Sequence, residues 1–97
     1  MDPEAVPAEL LQIREQIDSL DSEIVKLLAD RFALTHRVGE LKASHDLSAL
    51  DSSREAEKLA RIEDLCKEKG LNPELVADLF VRIMEEVKRN HERLRGQ

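Results

Sequence analysis

Residues 8–44 read AELLQIREQIDSLDSEIVKLLADRFALTHRVGELKAS, and this stretch decides the fold. It contains no proline and a single glycine, Gly39. Apolar residues recur along it at heptad spacing. Leu10, Ile17, Ile24 and Val38 hold one seam position, while Ile13, Leu20, Leu27, Leu34 and Leu41 hold the other. A pattern of this period and length predicts one continuous helix. At 1.5 Å per residue, about 36 residues reach roughly 54 Å. A compact chain of 97 residues is only about 30–35 Å across. The helix therefore overhangs its own domain, and Gly39 lies too near its end to fold it in half. An apolar seam of that length must be covered, and a second copy of the chain is the economical cover. The expectation is an intertwined helical homodimer.

Two further helices follow from the punctuation downstream. Ser52-Ser53-Arg54-Glu55 matches the Ser-x-x-Glu capping box, which places Ser52 as the cap of a second helix. That helix runs through Leu59, Ile62 and Leu65 and stops at Gly70, the preferred residue just past a helix end. Asn72-Pro73 reads as an N-cap followed by proline at the first helical position. The third helix carries Val76, Phe80, Ile83, Val87 and Leu94 on one stripe and frays near Gly96. The loop from His45 to Asp51 is the one connection longer than a tight turn. The fold class is thus all-α, with three helices per chain and a very long first helix. Residues 1–97 form a single domain, and residues 1–7 are expected to fray.

Composition agrees with this reading and narrows the function. Charged residues make up 37% of the chain and apolar residues 41%, with only three Gly and three Pro, which disfavours a sandwich or barrel. The net charge of −6 and the absence of Trp and Tyr argue against nucleic-acid binding. The lone Cys66 cannot form an internal disulfide and reads as packing. The acidic start, Met1 to Pro7, lacks the basic and apolar regions of a signal peptide, and no apolar run approaches the ~18 residues of a membrane span. A cytoplasmic protein, without membrane contact, is expected. No metal-ligand spacing, phosphate loop, nucleophile elbow or redox pair is present, so neither a metal nor a cofactor is expected.

Polar residues stand where the heptad calls for apolar ones. Arg31 occupies the seam position of Leu10, Ile17, Ile24 and Val38, and Arg14 and Lys42 each lie one place beyond an apolar seam residue. The plain reading of Arg14 and Lys42 is snorkelling, with stems on the core and charges in water. Arg31 at a seam centre calls for more, because a buried guanidinium is very costly without a carboxylate or an anionic ligand to meet it. Arg31 and Lys42 are three turns apart on one face, about 16 Å along the axis, and long side chains from both ends could grip one small ligand. Arg14 is about 25 Å from Arg31, too far to share that ligand within one chain. In an antiparallel dimer, however, the Arg14 of the other chain arrives close to Arg31, giving two equivalent sites shared between chains. Asp51, Arg54 and Glu55 gather near the second helix start, and His91 lies on the stripe of Val87. Each has a plainer role too: Glu55 as capping partner of Ser52, Arg54 as an ion pair with Glu57, His91 as a satisfied core or surface histidine.

Taken together, these residues resemble the all-helical chorismate mutase family. The resemblance runs from Leu10 to about Leu94. It rests on Ile13-Arg14-Glu15-Gln16-Ile17-Asp18-Ser19-Leu20-Asp21, Leu27-Leu28-Ala29-Asp30-Arg31, Val38-Gly39-Glu40-Leu41-Lys42, Asp51-Ser52-Ser53-Arg54-Glu55 and Leu79-Phe80-Val81-Arg82-Ile83-Met84. Each piece alone is weak, and their order and spacing together are specific.

The resemblance implies an isomerase of aromatic amino acid biosynthesis that rearranges chorismate, a dicarboxylate enol ether, into prephenate. Such a pericyclic shift needs a flexible substrate held in a reactive shape and charge stabilised on the ether oxygen. By the family pattern, Arg14 from the partner chain and Arg31 clamp the carboxylates, and Lys42 donates to the ether oxygen and a carboxylate. Glu55 accepts from the ring hydroxyl, and Arg54 with Asp51 shapes the site around it. This chain departs from the pattern at Val87, where the family often has a small hydroxyl residue, and at His91, where it often has a glutamine donating to the ether oxygen. Histidine can donate from one N–H when neutral or two when charged. The catalytic set so implied is Lys42, Arg31, Glu55 and His91; Arg14, Asp51, Arg54 and Val87 complete the substrate contacts. Sister chemistries on the same scaffold, isochorismate lyase or amino-chorismate mutase, fit the same residues, as does a noncatalytic helical dimer that binds a metabolite. Another enzyme of the same pathway is a conceivable partner, with the basic tail from Arg89 to Arg95 as its contact; a solvated helix end complementing its own dipole accounts for that tail equally well.

Overall fold

A computed structural model describes residues 6–48 and 51–96. Three helices follow one another: α1 over Ala8–Ser44, α2 over Ser52–Lys69 and α3 over Pro73–Arg95. No strand occurs among the described residues. The expected frayed start falls largely on residues 1–5, which lie outside the described residues; Val6 and Pro7 precede α1 without regular structure. No described helix is long and apolar enough to cross a membrane. The chain forms two compact units, one ending at Ala33 and the other beginning at Leu34, and α1 contributes to both.

In the first unit the heptad is present as written and its apolar face lies open. Ile17, Leu20, Ile24 and Leu27 are all exposed, Leu27 at 64%. The same seam stays open where α1 enters the second unit, with Leu34 at 69% and Val38 and Leu41 also exposed. A continuous apolar stripe of this extent is far more than scattered surface leucines.

The second unit holds the core. α2 packs on α3, and Ile62, Cys66 and His91 are its buried residues with side chains. Cys66, at 2% exposure, packs as expected. Its carbonyl also ends α2, accepting from the backbone N–H of Gly70 and, at 2.9 Å, from that of Leu71. Gly70 has φ 71°, a left-handed turn that glycine adopts without a Cβ penalty. Asn72 caps α3, its Oδ1 accepting from the Glu74 N–H at 3.0 Å, with Pro73 in the first turn.

The start of α2 differs from the expected capping box. Asp51, not Ser52, is the N-cap: its Oδ1 accepts from the Arg54 N–H at 3.0 Å. A carboxylate serves this end better than a hydroxyl because its charge also meets the positive end of the helix dipole. Ser52 becomes the first helical residue, and Glu55 moves one place past the reciprocal capping position.

α1 stops without glycine. The Asp46 N–H donates to the Ala43 carbonyl at 3.3 Å and the Leu47 N–H to the Lys42 carbonyl at 2.7 Å, the paired bonds of a Schellman motif. Asp46 takes the left-handed position at φ 53°, which aspartate tolerates better than most residues. Arg95, from the end of α3, holds this turn by pairing with the Asp46 carboxylate at 3.2 Å and donating to the Leu47 carbonyl.

Gly39 is the buried point of α1 in the second unit. A Cβ built on it would stand 2.5 Å from His91 Cδ2 and 2.8 Å from Leu94 Cδ1. The missing side chain is therefore the notch that seats α3. Alanine favours a helix over glycine by roughly 1 kcal/mol, but overpacking a fitted contact costs about 1–3 kcal/mol. We expect Gly39→Ala to lower the melting temperature by several degrees, read by circular dichroism at fixed chain concentration. An unchanged or raised midpoint would mean that α3 does not seat on this notch.

Candidate active site

The residues singled out in the sequence lie on all three helices. Arg14 and Arg31 belong to the unit that ends at Ala33; Arg14 is exposed and Arg31 half-buried, with its Nη1 shielded from solvent. Lys42 is half-buried in the last turn of α1, where a cation also suits the negative end of the dipole. Asp51, Arg54 and Glu55 are brought together in the first turn of α2. The Asp51 carboxylate fixes this turn, and its carbonyl accepts from the Glu55 N–H at 3.1 Å. Glu55 is half-buried and Arg54 exposed. Among the described residues, Arg14, Lys42, Arg54 and Glu55 form no ion pair with one another or with a neighbour. The plainer reading of Arg54 as an ion pair with Glu57 is thus not met, and the N-cap role expected of Ser52, which would have made Glu55 its reciprocal partner, belongs to Asp51.

On α3, Val87 is half-buried, and His91 is 4% exposed. Nε2 of His91 lies 2.8 Å from the Thr35 carbonyl oxygen of α1 and donates to it. One residue earlier, the Asn90 amide nitrogen donates to His36 Nδ1 at 2.9 Å. These two bonds and the Gly39 notch hold α3 along the end of α1. Sequence reasoning missed Thr35, His36 and Asn90. The lone glycine in a long helix was the available signal, since such a residue usually has a packing reason.

The basic tail is engaged within the chain. Arg89 and Arg93 reach the two oxygens of Glu86 at 2.7 Å and 3.7 Å, and Arg95 is on Asp46. The Arg89 guanidinium draws the Glu86 carboxyl below the usual carboxylate range, chiefly by hydrogen bonding.

The described residues thus form an all-helical chain that carries Arg14 and Arg31 in one unit and Lys42, Arg54 and Glu55 in the other. Residues 13–92 match the family described as chorismate mutase type II, and the chain belongs to that family. It is 34% identical over 79 residues to a chorismate mutase of Methanocaldococcus jannaschii, covering 81% of this chain and 80% of that protein. It is 39% identical over 79 residues to the T-protein of Enterobacter agglomerans, covering 81% of this chain but 21% of the relative. A bifunctional chorismate mutase/prephenate dehydratase of Neisseria gonorrhoeae is 40% identical over 77 residues, 79% of this chain and 20% of its own length. The chain therefore spans about a fifth of the longer relatives and four-fifths of the short one.

Proposed function

We propose that the chain converts chorismate to prephenate as a cytoplasmic homodimer in aromatic amino acid biosynthesis. One observation carries this reading: the family match over residues 13–92 encloses every candidate residue from Arg14 to His91. The rearrangement breaks the ether C–O bond as a new C–C bond forms within the same molecule. No group is transferred to the protein, so its residues act by holding shape and charge. Arg31 and the other chain's Arg14 bind the two carboxylates, for which the guanidinium fork is suited. Lys42 donates to the ether oxygen as negative charge grows there. Glu55 accepts from the ring hydroxyl, Arg54 and Asp51 hold that corner, and Val87 closes the apolar side near His91. The half-buried and unpaired state of Lys42 and Glu55 supports these roles, because a charge kept partly from water awaits a partner.

The dimer follows from the open seam. The apolar residues exposed from Leu10 to Leu41 form one stripe on one helix, and a second copy supplies a matching stripe. It also brings an Arg14 to each site.

Purified protein assayed with chorismate, with prephenate formation followed in the ultraviolet, tests the proposal. Turnover confined to chorismate is the expected result. Turnover of isochorismate or of amino-chorismate instead would assign a sister chemistry. Absence of turnover on all three, alone or with lysate, would leave a noncatalytic binding dimer. A rise on adding lysate would point to a second enzyme of the pathway as partner.

A further inference from the structure

We propose that Arg95 is a positioning residue for the reaction: from the end of α3 it holds the turn that stops α1, and through that turn it holds Lys42 in place. The role rests on the chorismate mutase reading above and on the donor function given there to Lys42. Lys42 stands in the last turn of α1. Helix ends are where a helix frays, because the last carbonyls have no partner within it. A half-buried lysine in that turn aims at a fixed point when the end of the helix is firmly stopped.

The stop is built on the backbone of Lys42 itself. The Lys42 carbonyl accepts from the Leu47 N–H at 2.7 Å, and the next carbonyl, of Ala43, accepts from the Asp46 N–H at 3.3 Å. Both bonds go with Asp46 at φ 53°, a conformation that glycine takes freely and that costs any residue with a Cβ. Burial does little to secure it: the Asp46 side chain is 95% exposed and Leu47 is 54% exposed. Arg95 supplies the hold instead. One of its N–H groups meets the Asp46 carboxylate at 3.2 Å, and another donates to the Leu47 carbonyl. Leu47 is thereby held on both sides, its N–H on the Lys42 carbonyl and its own carbonyl under Arg95.

All of these residues lie in the unit that begins at Leu34. The guanidinium fork reaches two acceptors on successive residues, which a lysine point charge does not do. An ion pair this exposed adds little to global stability, so the fold should survive its loss. The rate should not, because displacing a reacting group by about 1 Å can cost up to about 10²-fold. Lys42 donates to an oxygen whose charge grows only as the ether bond breaks. A misplaced Lys42 therefore weakens the transition state more than the bound substrate, and the loss falls on kcat.

Variants of the full chain, assayed with chorismate, test the proposal. Arg95→Ala should lower kcat about tenfold while KM changes less than about twofold, and Arg95→Lys should recover part of the loss. Position 46 separates the turn from the charge. Asp46→Ala removes the carboxylate and disfavours the left-handed turn, so it should lose as much as Arg95→Ala. Asp46→Gly removes the same carboxylate but takes the turn freely, so its kcat should stay near that of the wild type. Adding Arg95→Ala to Asp46→Gly should then cost at most about threefold, a coupling that the shared turn predicts. Amide hydrogen exchange at Leu47 reads the turn without any turnover. It should quicken in Arg95→Ala and Asp46→Ala and stay near the wild-type rate in Asp46→Gly. Circular dichroism at the assay temperature checks that each variant is folded. An unchanged kcat in Arg95→Ala, a loss confined to KM, an Asp46→Gly as impaired as Asp46→Ala, or a Leu47 amide indifferent to Arg95 would each overturn the proposal. A wild type without turnover, whose Leu47 amide still responds to Arg95→Ala, would instead overturn the chorismate mutase reading, and the positioning of Lys42 for that reaction with it.

Discussion

Arg31→Ala should lower kcat/KM for chorismate by about 10²–10³-fold, the range typical of removing one preorganised donor from a site that stabilises developing negative charge. Arg31 interrupts an otherwise apolar seam, is half-buried, and keeps Nη1 away from water. The guanidinium is always charged, and its two-pronged fork fits a ligand carboxylate at this point. Alanine is also the better helix former at this point, so helical content measured by circular dichroism should not fall. Arg31→Lys should recover only part of the activity, since a point charge cannot reproduce a two-pronged grip on a carboxylate. Wild-type turnover in Arg31→Ala would remove this residue from the site and with it the main reason for a polar break in the seam.

Mixing two inactive chains should restore activity. If Arg14 acts on the site of the other chain, Arg14→Ala and Arg31→Ala dimers are each impaired at both sites. Dissociated and reassembled in equal amounts, half of the dimers are mixed, and each mixed dimer has one site carrying both lesions and one carrying neither. Turnover per chain should then reach about a quarter of the wild-type value, far above either parent. Sedimentation at micromolar concentration should first report a dimer. Mixed dimers shown to form without any gain would place Arg14 outside the partner's site. A monodisperse monomer would remove the shared site altogether.

The helices were legible in the sequence nearly to the residue. The heptad from Leu10 to Leu41 and the absence of proline gave α1; Gly70 and Asn72-Pro73 gave the end of α2 and the start of α3. These are local signals, repeated often enough to outweigh single errors. What escaped were contacts whose two halves lie far apart in the chain. Asp46 as a helix stop is supported by Arg95, and the burial of His91 depends on Thr35 and Gly39. Nothing near Asp46 or His91 announces the other half. The cap at Asp51 escaped for a different reason: Asp51 and Ser52 are adjacent and both good caps, and the choice between them falls within a fraction of the energy of one hydrogen bond. For the site, the residue types and their helical spacing were readable. The bond that His91 makes was not, because its partner is a backbone carbonyl, and backbone carbonyls leave no mark in a sequence.

The fit between Gly39 and His91 also limits how this chain can vary. With a Cβ at position 39 only 2.5 Å from the ring edge, the two positions are no longer independent characters. A side chain at 39 is less costly with a smaller residue at 91, although Leu94 Cδ1, 2.8 Å from the same Cβ, must also give way. In a double-mutant comparison, Gly39→Ala should therefore cost less in a His91→Ala background than alone, a coupling that neither residue's own chemistry would suggest. Among descendants of such a sequence, drift near the ends of two helices would be paced together, and the order of steps, not only their sum, would decide which variants survive.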